Sequence, residues 1–127
     1  MKKTSPNRDY KDYLLDIDHS LKQAEKFVVG FDLDSFSSDD KTIYAVTRAL
    51  EITGEATKNI PQKFKKEHGE IPWKKLADMR NILIHEYFGV NKKVVWKIIK
   101  RDIPEVKKKM IELIKELNIS RVTNKLL

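Results

Sequence analysis

Apolar residues in this chain recur at spacings of three and four almost from end to end, a period that fits α-helices and no strand. Tyr10, Tyr13, Leu14, Ile17, Leu21, Ala24 and Val28 form one stripe. They predict a helix from about Asp9 to Val29, with Gly30 as its stop signal. A polar loop is expected next, Asp34-Ser35-Phe36-Ser37-Ser38-Asp39-Asp40, whose Ser and Asp side chains can cap the following helix. That helix reads from about Asp40 to Asn59 and is ended by Pro61. A short one fits Gln62 to Glu67, and a fourth starts after Pro72 and runs to about Phe88, stopping at Gly89. Helices from Lys92 to Lys100 and from Pro104 to Leu117 complete the pattern, the last turning Val106, Met110, Leu113, Ile114 and Leu117 inward. Only four Gly and four Pro occur, and apart from Gly54, inside the second helix, they fall at or beyond the ends of these segments as punctuation. Val28-Val29 and Val94-Val95 lie inside helical patterns and are too short to argue for strands.

Four long amphipathic helices with short links predict an all-α, antiparallel up-and-down four-helix bundle with short additional helices. All 127 residues read as a single domain with its core at about 9–117 and a polar tail at 118–127. Ala45, Ala49, Thr53, Gly54 and Ala56 make one side of the second helix smooth, so a neighbouring helix can approach closely there.

Cysteine is absent, which removes disulfides, zinc-thiolate sites and thiol nucleophiles together. No stretch approaches the roughly 18 uncharged apolar residues of a membrane span, and no apolar run follows the lysines of Met1-Lys2-Lys3. The expectation is a cytoplasmic protein with no signal peptide and no membrane partner. Lys and Arg number 26 against 19 Asp and Glu, a formal charge of +7. A basic surface attracts polyanions, so nucleic acid is the first partner to consider; a merely solvated Lys-rich surface is the other reading.

The informative segment is Trp73-Lys74-Lys75-Leu76-Ala77-Asp78-Met79-Arg80-Asn81-Ile82-Leu83-Ile84-His85-Glu86-Tyr87-Phe88. On a helical wheel Trp73, Leu76, Ala77, Leu83, Ile84, Tyr87 and Phe88 share an apolar arc, while Lys74, Asp78, Asn81 and His85 share the polar side. Arg80 falls near the middle of the apolar arc, flanked by Trp73, Ile84 and Tyr87. An uncompensated buried charge is very costly, so Arg80 must be paired, lie in a cleft or face a subunit interface. Glu55 and Glu51 are the available partners. His85 lies about 140° around the helix from Arg80, so the two converge more easily across a two-fold dimer axis than within one chain. Tyr87 lies on the Arg80 face, with its hydroxyl expected near the guanidinium.

The three histidines, His19, His68 and His85, show no HxxxH or HExxH spacing, so no metal site is expected; nor is there a phosphate-binding Gly-rich loop or a G-x-S-x-G. Metal-free RNA cleavage needs less equipment: a base for the ribose 2′-OH, which histidine suits, and a cation for the charge developing at phosphorus, which a guanidinium suits.

Arg80-Asn81-Ile82-Leu83-Ile84-His85-Glu86-Tyr87 resembles the R-x4-H-x-Y signature of the HEPN superfamily, specifically the HepT-like RNase toxins of HEPN/MNT toxin–antitoxin pairs. The likeness extends to Ala45–Ala56 around Gly54-Glu55-Ala56, to Ile71-Pro72-Trp73, to Val95–Ile99 with Pro104, and to Asp12–Ile17, covering roughly Asp9 to Leu117. The family more often shows Ile where Thr53 stands, a change expected to be tolerated.

The resemblance implies a homodimer that brings two motifs into one RNA-cleaving cleft and needs no cofactor. It implies Arg80 and His85 as the catalytic residues, Asn81 as a polar neighbour orienting phosphate or His85, and Glu55 in support. Tyr87 matches the tyrosine that a cognate nucleotidyltransferase antitoxin modifies with AMP. A non-catalytic module that binds a nucleotide or the nucleotidyltransferase is the alternative, and a purely structural dimer with an Arg80–Glu55 ion pair is the third reading.

Overall fold

The computed structural model describes residues 9–85 and 91–119, and of residues 82–85 the backbone alone. All regular structure among these residues is helical. The long helices are α1 (Tyr10–Phe27), α3 (Asp40–Lys58), α5 (Trp73–His85) and α7 (Ile103–Glu116). The short ones are α2 (Leu33–Ser37), α4 (Gln62–Glu67) and α6 (Lys92–Lys97), with a π turn at Ile98–Asp102 joining α6 to α7. The expected ends of the long helices hold to within two residues wherever they fall inside the described chain. The end placed near Phe88 and Gly89, and most of the tail, lie outside it.

Helix α3 is the central member, packed against α1 on one side and α5 on the other, while α7 lies on α1. The α1 stripe contributes Leu14, Ile17, Leu21 and Ala24 to the core, and α3 answers with Val46, Leu50, Thr53 and Thr57. Gly30, at φ 86°, ends the α1 segment in the left-handed conformation that favours glycine. The ion pair of Lys107 with Glu25 joins α7 to α1.

Two segments depart from expectation. The Ser/Asp-rich stretch after Asp32 is not a loop but helix α2, because Phe36 inside it is fully buried and stacks on Trp96 at 5.2 Å between ring centroids. Its polar residues cap α2 and not α3. Asp32 accepts from the Ser35 N–H at 2.9 Å while the Ser35 hydroxyl accepts from the Asp32 N–H at 3.0 Å, a capping box. Accepting from the Ser35 N–H, and from the Ser35 hydroxyl at 3.0 Å, holds the Asp32 carboxyl below its ordinary pKa. Asp39, at the N-cap of α3, makes no side-chain bond to a helix N–H and instead receives the Thr42 hydroxyl at 2.7 Å.

The second departure is that no break separates the helices expected at Lys92–Lys100 and Pro104–Leu117. Pro104 lacks the N–H that would bond to the Lys100 carbonyl, and its ring crowds that carbonyl. The chain widens into a π turn, in which the Ile103 N–H bonds to the Ile98 carbonyl, and then resumes as α7.

Two hydroxyls meet inside the α1–α3 contact: Ser20 and Thr53 lie 2.6 Å apart, both buried. Thr53 also reaches the Ala49 carbonyl at 3.0 Å and Ser20 the Ile17 carbonyl at 3.2 Å. Two protons serve three contacts, so removing either hydroxyl leaves the other able to donate to its own backbone. Ser20→Ala and Thr53→Val should therefore each cost about 1 kcal/mol. The double variant should cost clearly less than their sum in urea denaturation. Strict additivity would show that the two hydroxyls are not coupled.

Candidate active site

Helix α5 is held at its start by Trp73, whose indole N–H donates to the Lys65 and His68 carbonyls at 3.1 and 3.0 Å. Phe64 lies between Trp73 and the Tyr10 ring of α1, 4.7 Å from the latter. This clasp sets where α5 starts. Further along, Gly54 sets how closely it lies on α3. A Cβ at Gly54 would fall 2.5 Å from the Arg80 Cβ, 2.9 Å from the Arg80 nitrogen and 3.1 Å from the Ala77 carbonyl oxygen. Only a residue without a side chain admits the α5 backbone at that distance.

The contact turns Arg80 to the edge of the buried surface, not its middle. Leu76 and Met79 are fully buried, so the core-facing side of α5 centres on them. The wheel left Met79 out of its apolar arc, and that omission displaced the arc towards Arg80. In the structure the Arg80 side chain is 33% exposed and its Nε lies 3.5 Å from Glu55 Oε2. Of the two candidate partners, Glu55 is the one used; Glu51 pairs with Arg48 at 3.5 Å. With Glu55 at the Nε, no other carboxylate lies within 4 Å of the guanidinium among the described residues. The terminal amino groups are thus left for an anionic ligand.

The pair is looser than a hydrogen bond, and the Glu55 side chain is 52% exposed. An ion pair this open to water contributes less than about 1 kcal/mol. Structural need is a weak reason for arginine here.

Asn81 follows Arg80 on α5 and is half-buried. His85 is the last residue of α5 that the structure describes, five residues on from Arg80. Its side chain, and Tyr87 with its hydroxyl expected near the guanidinium, lie outside what the structure describes. The structure therefore brings Arg80 and Glu55 together, with Asn81 adjacent.

A polar recess of about 290 Å³ adjoins Glu55 and is lined by Tyr13, Asp16, Arg48, Ile52, Ala56 and Asn59. The Asn59 amide donates to the Glu55 carbonyl at 3.0 Å. The apolar period alone places Tyr13 on the α1 core stripe and gives Asp16 no role; a hydroxyl at a stripe position is the signal that Tyr13 sits at the boundary. Among the described residues, no group of three or more His, Asp or Glu side chains is placed to hold a metal ion.

This close-packed α3–α5 pair, with an arginine at its seam and a histidine position five residues on in the same helix, defines an all-helical domain of one class. The ribonuclease HepT-like family profile matches residues 17–113, and the chain belongs to that family. It is 51% identical over 106 residues to a protein of Thermococcus cleftensis named "Probable ribonuclease HepT", covering 84% of this chain and 96% of that one. A provisionally named RNase of Caldanaerobacter subterraneus subsp. tengcongensis is 41% identical, over 79% of this chain and 92% of its own. Another such RNase, from Methanocaldococcus jannaschii, is 42% identical, over 88% of this chain and 97% of its own. No solved structure matches the chain significantly.

The contact at Gly54 yields a direct test. Alanine is a better helix former than glycine by about 1 kcal/mol, yet the overlap with the Arg80 backbone should outweigh that. Gly54→Ala is expected to lower stability by about 1–3 kcal/mol in chemical denaturation. A stabilised Gly54→Ala would mean that α5 does not approach so closely.

Proposed function

We propose that the chain is a metal-independent endoribonuclease, the toxin of a toxin–antitoxin pair. The observation that carries the reading is the arginine at the α3–α5 seam. It is one-third exposed, tied at its Nε alone among the described residues, and shares a helix with His85 in a family whose relatives are named as RNases.

In this reading His85 removes the ribose 2′-OH proton, and the 2′-oxygen attacks the adjacent phosphorus. Arg80 stabilises the charge on the non-bridging oxygens, and the P–O bond to the 5′-oxygen breaks. The products are a 2′,3′-cyclic phosphate and a 5′-hydroxyl, with the second His85 of a homodimer returning the proton to the leaving oxygen. Glu55 and Asn81 position the guanidinium and the phosphate. A dimer suits the roughly 140° between Arg80 and His85 on one helix, because two copies of α5 side by side set each residue opposite the other's partner.

Tyr87 is the position at which a nucleotidyltransferase antitoxin attaches AMP. The added phosphate would repel RNA and pair with Arg80. The protein works in the cytoplasm, where its RNA substrate and antitoxin are. Among the described residues no helix is long and apolar enough to cross a membrane.

The decisive experiment incubates adduct-free protein with labelled RNA in EDTA. Wild type should cut, and His85→Ala and Arg80→Ala should each lose at least about 100-fold in rate while remaining folded. Saturable nucleotide or nucleotidyltransferase binding without RNA turnover would instead make this a binding module. Equal cutting by wild type and His85→Ala would remove the motif from the chemistry. Glu55→Gln separates positioning from stability: a several-fold loss of rate with a stability change below about 1 kcal/mol is expected. A large fall in stability would return Arg80–Glu55 to a structural role.

A further inference from the structure

The net positive charge of this protein comes almost wholly from one part of the fold. Residues 1–91 carry fifteen Lys and Arg against fifteen Asp and Glu, whereas residues 92–109 carry eight against two, which is +6 of the total +7. A charge that served only solubility would be interspersed with its opposite over the surface. Here it lies on α6, the π turn and the start of α7. Val95, Ile98, Ile99, Ile103 and Val106 bury the inner side of this rod. Lys93, Lys97, Arg101 and Lys108 follow one another at intervals of four, four and seven, a single outer face by helical period, and all four are exposed. None of the four has a carboxylate within 4 Å among the described residues, unlike Lys75, which pairs with Asp102 at 3.7 Å, and Lys74, which pairs with Asp78 at 2.6 Å. The groove of about 460 Å³ beside the rod carries as many carboxylates as lysines on its rim and is not the place for an anion.

We propose that this outer face, Lys93–Lys97–Arg101–Lys108, is a track for the phosphate backbone of the RNA substrate, separate from the residues that cut it. The inference rests on the ribonuclease reading for the identity of the polyanion. Lys92 is seven residues beyond His85, so α6 begins within about 25 Å of it however the chain between them runs. A strand held on the track is thereby within a few nucleotides of the catalytic pair.

The test compares K93Q/K97Q/R101Q with K58Q/K63Q/K66Q, which removes equal charge from exposed lysines of α3 and α4. Both are made in the full chain carrying His85→Ala, so that binding of fluorescent single-stranded RNA can be followed by anisotropy at stepped KCl without turnover. Losing three phosphate contacts should weaken binding at least about tenfold at low salt and flatten the plot of log affinity against log salt by about 2. The control set should change affinity less than about threefold. An equal loss in both sets would make the effect one of net charge and overturn the track. So would RNA affinity and salt slope unchanged from the parent, which would leave an acidic protein surface as the ridge's partner. Absence of RNA binding by the parent itself would overturn it too. Cutting by the protein with native His85 is scored separately. Cutting with an intact ridge response upholds both readings, and cutting without that response removes the track alone. A ridge response without cutting removes the catalytic reading alone.

Discussion

Helix α5 can present Arg80 as it does because its backbone lies directly on Gly54 of α3. Side-chain packing normally holds helix axes 8–10 Å apart. Removing the side chain at one position lets α5 settle closer, and the Arg80 Cβ then starts at the seam itself. The guanidinium leaves along the edge of α3, where the next residue is Glu55. Neighbouring Gly54 and Glu55 thus do different work: the first fixes the approach and the second takes the Nε of the arginine that the approach delivers. Ala56, buried at 5% exposure, closes the core beneath. Because the placement is set by backbone contact, the ion pair can stay loose and open to water without the arginine losing its position.

Much of this was legible in the chain. The 3.6-residue period locates α1 and α3 by their apolar stripes, while Pro61, Gly69 and Pro72 bound α4 and the start of α5. The smooth side of α3 was visible as a run of small residues, and its meaning required only a partner helix. Less legible were features in which one residue overrides local composition. Phe36 sits in a stretch of Ser and Asp that reads as a loop, yet burying one aromatic ring with Trp96 is enough to fold it into a capped turn of helix. The partner ring is sixty residues away, and no local pattern contains it.

Arg80 illustrates a subtler limit. A wheel weighs every apolar residue alike and finds the centre of the arc by counting, whereas the buried face is decided by which neighbours are present. Here those neighbours reward Leu76 and Met79, turning the helix so that Arg80 reaches the rim. The paradox of a charge in an apolar arc dissolves without any buried charge. The choice between Glu55 and Glu51 needed the same information, because which glutamate faces α5 depends on the rotation of α3.

Pro104 has a consequence that extends beyond its own turn. A plain break before it would free α6 from α7 and leave their faces unrelated. The π turn instead joins them into one rod, so that Ile99 and Ile103 stay inward while Lys97 and Arg101 stay outward. The widened turn absorbs the missing hydrogen bond, and the rod keeps two continuous faces. One is apolar and seals the bundle, and the other carries nearly all of the protein's net charge. A neutral bundle that fixes Arg80 by close packing and a charged rod that begins soon after His85 are therefore consecutive stretches of one chain. The order suits a protein in which holding a polyanion and acting on it fall to different residues.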